Sequence, residues 1–165
     1  MNFQIKNRKV ILLIVLFCII GLYIFYSFPW PVNKTYDAVE YQAGNMQVEK
    51  PVKVSIDGYY YKKIILRDKF TGTVIIDGDK FKISKLVVDS NGELLYGFNE
   101  STGSYYSYGV IYVNKGMNKI TICIDKNSGW NSGDGYIISA PSKSRAEALN
   151  ITNDLLSKYL VNKIQ

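Results

Sequence analysis

The stretch FTGTVIIDGDKFKISKLVV, Phe70 to Val88, holds two runs rich in Val, Ile and Phe on either side of Asp77-Gly78. Alternation of this kind belongs to strands, and Asx-Gly suits the two central residues of a tight hairpin, where φ must be positive. The same pattern recurs along the chain. Asp57-Gly58, Asn91-Gly92, Lys115-Gly116 and Asp134-Gly135 are read as further turns. Between them the expected strands are 52–56, 59–66, 70–76, 81–88, 94–98, 107–113, 119–124 and 136–140. The connections are mostly too short for parallel crossovers, so the sheet is antiparallel. In KITICID, Ile120, Ile122 and Ile124 fall on one face, read as core, and Thr121, Cys123 and Asp125 on a wetter one.

Outward from this region the period changes. Ser144-Arg145-Ala146-Glu147 has the form of a capping box, and Ala148, Ile151, Leu155, Leu156, Tyr159 and Leu160 follow as one apolar stripe. A final amphipathic helix is expected over 144–162, packed on the sheet. At the other end, Val10 to Phe28 reads VILLIVLFCIIGLYIFYSF without a charge. At ~1.5 Å per residue this spans about 28 Å, the thickness of a hydrocarbon core. Fourteen of its 19 residues are Leu, Ile, Val or Phe, which favours insertion by roughly several kcal/mol.

The run is too long for a signal-peptide core and ends in aromatics, Tyr23, Phe25, Tyr26, Phe28 and Trp30, rather than at a small-residue cleavage site. Cys18 follows the bulky Phe17 in mid-run and does not match a lipobox. Lys6, Arg8 and Lys9 precede the run, and only Lys34 follows closely, balanced by Asp37 and Glu40. The positive flank stays in the cytoplasm. Pro29 and Pro31 stop the helix. The expected organisation is a cytoplasmic tail over 1–9, a transmembrane signal-anchor over 10–28, a stalk or irregular edge strand over 29–45, and an extracytoplasmic β-rich domain over 46–165. The fold class is mainly β (α+β), an antiparallel sheet or sandwich-like ectodomain with one C-terminal helix. The location is the cell membrane, single-pass, with the N-terminus cytoplasmic and the C-terminal domain extracytoplasmic.

Composition narrows function more by exclusion than by assignment. Of the 20 Lys/Arg, three precede the apolar run, leaving 17 against 14 Asp/Glu in the remainder, and no basic run is longer than Lys62-Lys63. A nucleic-acid footprint needs basic residues gathered on one face, so no nucleic acid is expected as partner. The chain has no histidine. Cys123 is the one conventional nucleophile, and Thr121-Ile122-Cys123 resembles only loosely the Thr-Leu-x-Thr-Cys of sortases, whose histidine is missing. A thiol without a base or a cationic neighbour stays weakly ionised. Asp57, Asp77, Asp79, Asp89, Asp125 and Asp134 fall in expected turns, where turn chemistry accounts for them. Residues 125–135 look oxygen-rich, yet the EF-hand positions for Gly and Glu hold Trp130 and Tyr136. No cofactor, metal ligand or catalytic residue is assigned. Asn33, Asn99 and Asn150 stand in N-x-Ser/Thr sequons.

Tyrosine clusters remain. Tyr59-Tyr60-Tyr61 and Tyr105-Tyr106 place aromatics on both faces of strands, and with Trp130 in the 125–135 loop they form the candidate contact surface. The expected function is a non-enzymatic, membrane-tethered extracytoplasmic interaction domain, in contact with the bilayer through 10–28 and with another envelope protein or a cell-wall polymer. Two alternatives are an envelope-acting hydrolase or transferase using carboxylates or Cys123, and a scaffold subunit of a membrane complex.

The pattern Trp130-x-x-x-Asp134-Gly135-x-x-Ile138-x-Ala140-Pro141, followed by Arg145-x-Glu147-Ala148, resembles the end of small single-pass membrane-anchored β-domain proteins of Gram-positive bacteria. The resemblance extends over residues 50–160. It implies the anchored β-domain layout at the bacterial envelope and carries no activity, cofactor or catalytic residue.

Overall fold

The fold comes from a computed structural model that describes residues 2–126, 129–160 and 162–165. Helix α1, Asn2–Ser27, is followed by eight strands: β1 Trp30–Gln42, β2 Asn45–Tyr61, β3 Lys69–Ile76, β4 Asp79–Val87, β5 Glu93–Asn99, β6 Ser104–Val113, β7 Ile120–Ile124 and β8 Tyr136–Ala140. Helix α2, Arg145–Leu156, closes the order. Each strand pairs antiparallel with the next, and β1 also pairs with β8 from Val39↔Ser139 to Gln42↔Tyr136. The sheet therefore closes into a barrel instead of splitting into a sandwich. Closure removes the unpaired edges that a sandwich of these strands would leave.

The stretch expected as stalk or irregular edge is β1, in register with β2 from Trp30↔Tyr60 to Glu40↔Lys50 and beyond. The turn that joins them is Ala43-Gly44, with Gly44 at φ 69°. Asp77-Gly78 is the expected two-residue hairpin, both residues at positive φ between paired Ile76 and Asp79. Asp57-Gly58, by contrast, is no turn: β2 runs straight through it, Asp57 pairing with Asn33 and Thr73. Gly58 lies against Gly72 of β3, and a β-carbon on Gly58 would stand 2.2 Å from Thr71 O and 2.9 Å from the Phe70 ring. The glycine there lets two strands approach and bend, and the aromatic ring covers the bare backbone.

Alternate residues point inward and fill the barrel. Ile56, Phe70, Val74, Phe81, Ile83, Leu95, Ile111, Ile120, Ile122 and Ile138 are all within the interior cluster, with Met117 from the β6–β7 loop. An eight-stranded barrel is narrow enough for side chains to fill it, and large branched and aromatic residues do so here. A second cluster lies outside the wall, where α2 packs on β1, β7 and β8 through Val39, Tyr41, Cys123, Ile137, Ala148 and Leu156. The face of β7 expected to be wetter is thus a second core: Thr121 and Cys123 are buried beneath α2.

Helix α2 starts as its capping box dictates. Ser144 takes extended backbone and accepts from Glu147 N, while the Glu147 carboxylate accepts from Lys143 N at 2.8 Å, one residue before the cap. The helix is shorter than expected, ending at Leu156, and its buried stripe is Ala148, Thr152 and Leu156. The apolar stretch Arg8–Ser27 of α1 is not buried against the barrel and is long and apolar enough to cross a membrane, 20 residues or about 30 Å.

Candidate functional site

The aromatic residues singled out from the sequence do not form one surface. Strand alternation sends Tyr60 into the barrel, where its hydroxyl donates to the Asp68 carboxylate at 2.7 Å. Burial, reinforced by that carboxylate, pushes the Tyr60 phenol up to about 12. Tyr60 is thereby removed from the contact surface. Its neighbour Tyr59 faces outward and is half-exposed, and Tyr61 is half-buried. Trp130 packs partly into the cluster under α2, its indole over Gly135. Tyr105 is the most open of the set, 75% exposed on the outer face of β6. The Tyr106 ring lies over Gly97, where a β-carbon would stand 2.3 Å from it.

What does form a surface is the outer face of β5 and β6. Leu94, Tyr96 and Phe98 occupy alternate positions on β5 and are each about half-exposed. Tyr105 pairs with Phe98 across the strands, ring centroids 5.1 Å apart. Tyr96 sits between Lys82 of β4 and Ser107 of β6. Lys82 in turn lines a shallow groove of about 630 Å³ with Tyr59, Thr71, Thr73, Lys80 and Ser84. Aromatic rings, an aliphatic chain, hydroxyls and ammonium groups are thus continuous from β2 to β6. Such a surface can hold a partner by apolar contact with polar groups at its rim. The signal for Leu94 and Phe98 was present in LLYGF, an apolar run on both faces of one strand. Only one of those faces has a core to enter.

The groups considered for chemistry are engaged elsewhere. Cys123 is buried beneath α2, and burial pushes its thiol up to about 12. A neutral, covered thiol is a packing group. Asp125 accepts from Gly129 N at 2.8 Å, Asn131 accepts from Gly133 N, and Asp77 accepts from Lys53 N at 2.9 Å, each fixing a local turn or strand end. The Lys53 N–H holds the Asp77 carboxyl below its ordinary range. Asn127 and Ser128 of the 125–135 loop lie outside the described residues. Among the described residues, no three His, Cys, Asp or Glu side chains are placed to hold a metal ion. Asn99, in one of the sequons, uses its side-chain carbonyl on Ser101 N and Thr102 N to shape the β5–β6 turn.

Beneath α2 runs a chain of buried hydroxyls. Thr152 Oγ1 donates to Ala148 O at 3.0 Å, so it must accept from both Tyr41 OH at 2.8 Å and Ser139 Oγ at 2.6 Å. Ser139 then accepts from Thr121 Oγ1 at 2.9 Å. Every member is satisfied and closed to solvent, which makes the chain a lock between helix and barrel.

Compared with known proteins, the chain matches no family model, no curated protein and no solved structure.

Proposed function

We propose that this chain is a membrane-tethered extracytoplasmic binding domain that acts without catalysis and meets an envelope protein on the outer face of β5 and β6. The observation that carries it is the row Leu94, Tyr96, Phe98 and Tyr105, exposed on the part of the barrel that α2 leaves bare. A fold does not need these side chains outside, and a contiguous exposed apolar row marks an interaction surface. Leu94 and Phe98 offer area with no hydrogen-bonding group, which favours a protein partner over a glycan. The tether is α1, and the cationic Lys6, Arg8 and Lys9 before its apolar part favour a cytoplasmic N-terminus, with the barrel on the opposite side.

Photo-cross-linking residues placed at Tyr96 and Tyr105 in cells, with Lys143 as an exposed control, test this reading. A protein adduct from the two tyrosine positions and none from the control is the expected result. An adduct with cell-wall polymer would replace the partner class. Equal labelling at all three positions would remove the surface.

A further inference from the structure

We propose that the β2–β3 loop is a second membrane contact, which lays Ile64, Ile65 and Leu66 into the interfacial layer of an anionic bilayer while Lys62, Lys63 and Arg67 meet its headgroup phosphates. The proposal rests on reading α1 as spanning that same bilayer.

Three consecutive aliphatic side chains stand in water here, Ile64 at 61%, Ile65 at 94% and Leu66 at 68% exposure. Surface loops carry polar residues at such positions, because each exposed aliphatic group forgoes burial worth having. The loop is not loose. Asp68 at its end is buried, accepting from Lys63 N at 2.8 Å on one oxygen and from Tyr60 OH at 2.7 Å on the other. Val88 N donates to Asp68 O at 2.9 Å, and the Arg67 guanidinium donates to Asp89 O at 3.2 Å. Both ends are tied to the barrel, so the apolar tip is held out rather than folded in.

Its place decides its partner. β2 ends at Tyr61, and its neighbour Tyr60 pairs with Trp30, the first residue of β1 and three positions after the last of α1. The Lys62 ammonium lies 5.1 Å from the Trp30 ring centroid and 5.9 Å from that of Tyr26. Those aromatics close the apolar span, where Trp and Tyr sit at headgroup level. The root of the loop is therefore at that level too. Ile65 is three residues further, within about 10 Å of extended chain. The order basic, apolar, basic across Lys62-Lys63-Ile64-Ile65-Leu66-Arg67 is that of an interfacial segment, and the nearest carboxylate of the loop, Asp68, is turned inward.

Spin labelling of the full chain in vesicles of phosphatidylcholine and phosphatidylglycerol in equal parts tests this. Native Cys18, exposed on α1, reports the tether, and Cys123 is buried and stays unlabelled. Ile65→Cys, in a Cys18→Ala background, reports the loop, with Thr102→Cys at the opposite end of the barrel as the aqueous reference. The expected result is a label at position 65 relaxed more by oxygen than by a water-soluble nickel chelate, with position 102 the reverse. Lys62→Gln, Lys63→Gln and Arg67→Gln together, or vesicles of phosphatidylcholine alone, should lower the oxygen-to-nickel ratio at position 65 several-fold. A lipid-like Cys18 with a water-like position 65 overturns the loop contact and leaves the tether standing. A water-like Cys18 overturns both. A lipid-like position 65 that ignores lipid charge and the three substitutions overturns the headgroup contact.

Discussion

The barrel has two unlike sides. On β7, β8 and the Ala38–Tyr41 end of β1 both wall faces are covered: all five residues of β7 are closed to solvent, with Ile120, Ile122 and Ile124 inside and Thr121 and Cys123 under α2. From β2 to β5 only the inner face is covered. Outward there stand Lys53, Asp57, Tyr59, Thr73, Lys80, Lys82 and then Leu94, Tyr96 and Phe98. The seam between β4 and β5 is a single register pair, Lys82↔Tyr96. Stability is thus concentrated on the helix side, and the bare side carries apolar area the fold does not use. Substitutions should separate the two: costly for folding on one side, silent for folding on the other.

The largest effect is expected at Ile137, fully buried between β8 and α2. Ile137→Ala should cost about 2–5 kcal/mol in urea unfolding, the range for a large core residue cut to a methyl. Leu94→Ala on the bare side should cost under ~0.5 kcal/mol in the same measurement. Equal losses would end the comparison. Next is Thr152→Val, which keeps the shape of the side chain and removes the acceptor of Tyr41 and Ser139. Leaving buried hydroxyls unmatched should cost roughly 1–3 kcal/mol. Tyr41→Phe should recover part of that loss, and a double-mutant cycle reads the coupling.

Alkali sharpens the contrast further. Burial pushes Tyr41, Tyr60 and Tyr108 from an ordinary value of 10 up to about 12, and Cys123 from 9 up to about 12. Each folded-state value exceeds the unfolded one, so each group's contribution is intact below the unfolded value and is lost as pH rises towards 12. Unfolding free energy should therefore start to fall near pH 9 and fall more steeply above pH 10, where the tyrosines join. Cys123→Ala should flatten the segment from pH 9 to 10 and leave the steeper part in place. A wild-type curve flat to pH 11 would contradict the burial of these groups.

How far the sequence reveals this molecule depends on which side is asked about. Hairpins such as Asp77-Gly78 are legible because turn chemistry is local. Asp57-Gly58 misleads, since its glycine answers to Gly72 and Phe70 on the next strand, a demand that local pattern does not carry. β1 reads from the sequence only as a stalk or irregular edge strand, because Trp30 to Gln42 interleaves polar residues with small and aromatic ones, and its pairing partners are up to 100 residues away. The centre of the α2 stripe is Thr152, polar by type and buried only because Tyr41 and Ser139 meet it. Closure into a barrel follows from the β1–β8 pairing, again a long-range fact. The candidate surface was half legible: Tyr105 and Tyr106 fall in it or beside it, whereas Tyr60 points inward by one step of alternation.

The smallest expected effect on folding decides the use of the bare side. Tyr105 is three-quarters exposed and its ring pairs with that of Phe98. Such an aromatic pair adds about 0.5–1.5 kcal/mol when its burial is complete, and an open one falls at or below the bottom of that range. Tyr105→Ala should leave the melting temperature within a degree or two of the parent. On the proposed function, the same substitution combined with a photo-cross-linker at Tyr96 should reduce adduct yield severalfold, because the ring then missing would be area covered by the partner and not by the barrel. Loss of stability together with loss of adduct would mean that the β5–β6 hairpin needs its outer aromatics for itself. Loss of adduct alone assigns them to the partner.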